Sequence, residues 1–89
     1  MGLGDEISIP CTVKQGPFEE ERLVSFETLD GAVAGFVSPT DLKQIDRDRW
    51  VVRAVVTNLK GDVVTVRVRG SFFTTNGLAT IRREMALAA

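Results

Sequence analysis

The sequence contains no histidine and only one cysteine, Cys11. The first absence removes the commonest general base, the commonest catalytic relay partner and the commonest transition-metal ligand together. The second excludes an internal disulfide and any multi-cysteine zinc site. No run approaches the roughly 18 to 20 apolar residues that a membrane helix needs. The opening stretch 1–6 carries neither the basic nor the apolar region of a signal peptide, so a cytoplasmic protein with no membrane segment is expected. The glycines form no phosphate-cradling motif, and carboxylate pairs such as Asp46 and Asp48 match no ordered metal loop. Catalysis is therefore the least favoured class, and no cofactor or metal is expected.

What is present is a normal globular balance: 44% hydrophobic and 26% charged residues in 89. That length holds one core, so a single domain over 1–89 is expected, with a stability margin small enough for a partner or self-association to matter. The net charge of −1 hides an asymmetry. Residues 1–46 carry three basic against nine acidic side chains, a net −6, whereas residues 47–89 carry eight against three, a net +5. Seven of those eight basic residues are arginine, the side chain suited to bidentate recognition of carboxylates and phosphates.

Period-two alternation dominates the pattern. Ile7, Ile9, Cys11 and Val13 share one face of a strand in which Pro10, unable to donate a ladder hydrogen bond, predicts a sheet edge or a bulge. Gln15-Gly16-Pro17-Phe18 followed by Glu19-Glu20-Glu21 reads as a turn with a solvated acidic run. Asp30-Gly31 between two apolar stretches signals a hairpin. Ser38-Pro39-Thr40-Asp41 reads as a capped helix start, predicting a short helix over about 39–46.

Residues 50–69 form a second hairpin whose pattern fits Val52 facing Val68, Ala54 facing Val66 and Val56 facing Val64, with the loop Leu59-Lys60-Gly61. In that register Arg53 lies opposite Arg67 and Val51 opposite Arg69 on the outer face. Gly70 to Gly77 reads as an aromatic-bearing loop, and residues 78–89 read as strand or helix, with Leu78, Ile81, Met85 and Ala88 fitting the helical period better and favouring a short C-terminal helix.

The expected class is all-β with minor α: a small five-stranded barrel, which is the simplest way to hide the strand edges. The element order matches the OB-fold, which carries its helix between strands three and four. Locally, Gly35-Phe36-Val37-Ser38-Pro39-Thr40-Asp41-Leu42 resembles the segment that enters the single helical turn of SH3-like barrels. That resemblance covers eight residues and implies an SH3-like alternative.

Like charges opposite one another on a sheet repel, so Arg53, Arg67 and Arg69 call for an anion. It can come from within, as Glu19, Glu20, Glu21 or Glu27, or from outside, as an acidic protein or nucleic-acid phosphate. Phe36 and Trp50 are assigned to the core, whereas an extended Phe72-Phe73 pair must turn one ring outward. The expected function is a non-enzymatic binding or assembly module. Its contacts are Arg53, Arg67 and Arg69 with Phe72 or Phe73 as apolar anchor, and its partner is an acidic protein. Single-stranded nucleic acid is the alternative partner, disfavoured by a pI of about 5.3. The complementary charge halves also permit a homo-oligomer.

Overall fold

The computed structural model describes residues 1–15, 19–73 and 76–88. Strand makes up 66% of the described residues, whose helical content is confined to two single turns, so the class is all-β. Nine strands among the described residues form one antiparallel sheet that curls into a half-barrel. Strands β1 (Glu6–Gln15), β2 (Arg22–Thr28) and β3 (Gly31–Val37) form a meander. The long β5 (Arg49–Lys60) pairs with β1 on one side. On its other side it pairs with β4 (Leu42–Asp46) and then β6 (Val63–Arg67).

The curl follows from connectivity. The path β7–β3–β2–β1–β5–β6–β8 has β7 (Ser71–Phe72) at one end, yet β7 is separated from β6 by residues 68–70 alone. An extended chain covers at most about 14 Å from residue 67 to residue 71, so the two sides of the sheet must bend towards each other. The tip of the β2–β3 hairpin completes the approach: Leu29 N–H donates to the Thr80 carbonyl of β8 (Leu78–Arg82) at 2.9 Å. Inside lie Ile7, Ile9, Val24, Phe26, Val37, Val52, Ala54, Val56, Val64, Val66, Val68, Ala79 and Ile81. Most are β-branched, the type that packs well on a pleated surface. No polar side chain is buried among the described residues, so the core carries no desolvation penalty from polar groups.

Several expectations are corrected. The helix expected over 39–46 is a 3₁₀ turn, Pro39–Asp41, capped by Ser38 Oγ, which accepts from Thr40 N–H at 3.4 Å. The chain then extends as β4, because pairing with β5 satisfies the backbone that a helix of so few residues would leave half open. The C-terminal helix is also absent. Residues 78–82 are β8, with Ala79 and Ile81 inward, followed by a 3₁₀ turn (Arg83–Met85) and β9 (Leu87–Ala88), which pairs with β1.

Pro10 does not mark an edge strand, since β1 lies between β2 and β5. Val56 N–H donates to the Asp5 carbonyl, so odd-numbered residues of β1 point their backbone groups at β5 and even-numbered ones away. Pro10 therefore faces the gap between Ser8, paired with β9, and Thr12, paired with β2, where its missing N–H leaves no ladder bond unmade.

The β5–β6 register differs as well. Val55 lies opposite Arg67 and Val56 opposite Val66, and a bulge at Thr57 then brings Leu59 opposite Val64. The expected loop 59–61 is a two-residue turn, Gly61-Asp62, with Gly61 at φ 61° and Asp62 at negative φ, a type II′ pattern. The displacement from the expected register is two residues at Val55 and Val56 and three beyond the bulge, whose extra residue leaves Val64 and Val66 inward. The first hairpin turns at Leu29-Asp30, one residue before the expected position, with Gly31 at φ 107°. Residues 16–18 of the expected β1–β2 turn lie outside the described residues, as do 74–75 of the aromatic-bearing loop.

Candidate functional site

The stretch 63–73 passes from one side of the half-barrel to the other. Along it Val64, Val66 and Val68 point into the core and Phe72 packs against it, while Arg67, Arg69, Ser71 and Phe73 are exposed. The crossing depends on Gly70, at φ 146° and tight against the Phe36 carbonyl, where a side chain would have no room. Gly35 allows the same close approach of β7 to β3.

The structure brings Arg53 and Arg67 onto one outer face, but not opposite one another. Arg53 is opposite Ser8 on β1, and Arg67 sits between Val55 and Leu78. They are diagonal neighbours, spaced about 7–8 Å apart as sheet geometry requires, which eases their repulsion. Arg69 lies in the link to β7, past the last ladder pair of β6.

The internal neutralisation that Glu19, Glu20, Glu21 or Glu27 could supply is not formed among the described residues. Among the described residues the one carboxylate reaching the cluster is Glu6, whose Oε2 lies 3.9 Å from Arg53 Nε, with both side chains about half exposed. A pair this open contributes at most about 1 kcal/mol. Neither Arg67 nor Arg69 has a carboxylate within ion-pair distance among the described residues. Arg53 also borders a shallow groove of about 320 Å³ with Glu6, Ser8, Asp41 and Lys43, whose mixed charges favour no single ligand sign.

The two phenylalanines part company. Phe72 turns inward and meets Phe26 edge-on at 6.0 Å between ring centroids. Phe73 turns outward, 64% exposed, with its ring edge-on to Phe36 at 5.5 Å. Phe36 is thus corrected from core to outer face, where it is half-buried. Alternation could have found it, since its neighbour Val37 is a core residue. Trp50 is half-buried opposite Cys11.

Elsewhere the chemistry is quiet. Burial pushes the Cys11 thiol up to about 11, away from the thiolate a nucleophile needs. Asp46 Oδ2 accepts from Arg49 Nε at 2.6 Å, which holds its carboxyl below the usual range in an exposed turn. Among the described residues no cluster of three or more potential ligands is arranged for a metal, and no helix is long and apolar enough to cross a membrane.

Comparison with protein-family models, curated proteins and solved structures gives no match to this chain.

Proposed function

We propose that this chain is a non-enzymatic binding module that engages an acidic protein partner along the 67–73 seam. The observation that carries this reading is the outward succession Arg67, Arg69, Ser71 and Phe73 on one stretch, with both arginines lacking an ion pair among the described residues. Two unneutralised guanidinium groups beside an exposed aromatic ring combine charge-assisted hydrogen bonding with an apolar anchor. Arg53, diagonal to Arg67, extends the cationic face.

The scaffold reading is a small five-stranded barrel, with β1, β2, β3, β5 and the β6–β7 stretch as its principal strands. The single 3₁₀ turn that Pro39 opens after Gly35-Phe36-Val37-Ser38 supports the SH3-like form over the OB-like one, which carries a helix there. A cytoplasmic setting belongs to the same proposal, and the one unpaired cysteine suits a reducing compartment.

A second reading, single-stranded nucleic acid, draws on the exposed Phe73 ring near Arg69, since bases stack on such rings. Fluorescence anisotropy with labelled oligoglutamate and oligothymidylate at about 50 and 150 mM salt separates the two. The proposal expects salt-sensitive oligoglutamate binding that Arg53→Glu with Arg67→Glu abolishes while stability changes by no more than about 1 kcal/mol. Preference for oligothymidylate would move the assignment to nucleic acid. Unfolding of the double variant would make the arginines structural and overturn both readings.

A further inference from the structure

The acidic run Glu19–Glu21 lies at the same end of the half-barrel as the basic seam. Arg22, which follows the run, is opposite Val37 at the end of β3, and the three glutamates share an open cleft of about 590 Å³ with Ser38. From the other side, Gly70 abuts the Phe36 carbonyl, and a Cβ on it would lie 3.1 Å from Val37 Cγ2. Arg69 therefore flanks the same strand end that the acidic run flanks. Residues 36–38 stand between the two patches.

The patches do not neutralise each other within the chain. The ion pairs among the described residues are Arg49 with Asp46 and Arg53 with Glu6. Arg22 does not discharge the run by hydrogen bonding either: its Nη1 donates to the backbone carbonyls of Glu19 and Glu21, at 2.6 and 3.0 Å. Glu19 and Glu20 remain exposed.

An acidic patch and a basic one that flank the same strand end form a self-complementary pair. A two-fold axis through residues 36–38 sets each patch against its opposite on a second copy, and does so twice. We infer that the acidic partner of the seam is a second copy of this chain, docked as a two-fold dimer. Glu19–Glu21 of each protomer meets Arg67 and Arg69 of the other. This rests on the proposal that the seam binds an acidic protein. The exposed Phe73 ring at the seam supplies the apolar contact that a purely ionic interface would lack.

The test is the mass of the full chain by sedimentation equilibrium, over concentrations up to about 1 mM. At about 50 mM salt the expected mass is twice the 9.7 kDa monomer, falling to the monomer near 0.5 M salt. Arg67→Glu with Arg69→Glu, and separately Glu19→Lys with Glu20→Lys, each give a monomer, and an equimolar mixture of the two recovers the dimer. All four positions are exposed, and circular dichroism confirms folding. A monomer at low salt overturns the inference, as does a dimer insensitive to salt and to both reversals. A chain that is monomeric yet binds oligoglutamate through the seam loses the dimer and keeps the acidic partner; one that does neither loses both.

Discussion

Gly35 of β3 and Phe72 of β7 touch so closely that a Cβ on the glycine would lie 2.6 Å from Phe72 Cδ1 and 2.7 Å from its Cα. The contact fixes where the chain crosses between the two sides of the half-barrel. It also decides that Phe72 turns inward and Phe73 outward.

Gly35→Ala therefore forces backbone apart rather than displacing a flexible side chain. The expected cost is about 1–3 kcal/mol of unfolding free energy by urea titration. The loosened β3–β7 contact also weakens partner binding, although the substitution lies outside the exposed surface. A neutral effect on stability would mean that the two strands are not in contact in solution.

Ile81 and Arg82 are adjacent on β8, one fully buried and the other exposed. Ile81→Ala is expected to cost about 2–5 kcal/mol through the cavity it leaves. Arg82→Ala is expected to stay within about 0.5 kcal/mol, as surface changes usually do. Similar costs at both positions would favour the helical period over the strand.

That pair also marks how much of the fold was legible in the sequence. Strict alternation disclosed the inward faces of β1, β5 and β6, since period two survives any register shift of two residues. The register itself was hidden, because the bulge at Thr57 carries no glycine or other signature. Residues 78–82 misled because Leu78, Ile81 and Met85 satisfy a helical spacing by chance, whereas Ala79 and Ile81 satisfy the strand. Lateral pairing with β6 decides between them, and it is a long-range effect that local propensity does not contain. Of the candidate site, the outward arginines and one outward phenylalanine were legible from alternation alone. The Phe36–Phe73 contact and the approach of Glu6 to Arg53 were not, because both join strands distant in sequence.

Cys11 offers a pH-dependent test. Its thiol titrates near 11 when folded against an ordinary 9.0, so at pH 8 the folded chain holds about 100-fold less thiolate. Alkylation by iodoacetamide at pH 8 should be slower than in the urea-unfolded chain by about that factor. The sign for stability follows: burial favours the neutral form, so this contribution is intact below pH 9 and is lost as pH rises from 9 to 11. Equal alkylation rates in the folded and unfolded chain would show the thiol to be accessible and ordinary.

Whether the seam is the binding surface is tested directly by an amide-resolved NMR titration with oligoglutamate, at about 50 and then 150 mM salt. Salt-sensitive shifts are expected at residue 53 and residues 65–73, joined at the lower salt by residues 19–22 as oligoglutamate displaces the acidic run of the second copy. Shifts centred on Arg82 and Arg83 instead, or no shifts at the lower salt, would contradict that role for the seam.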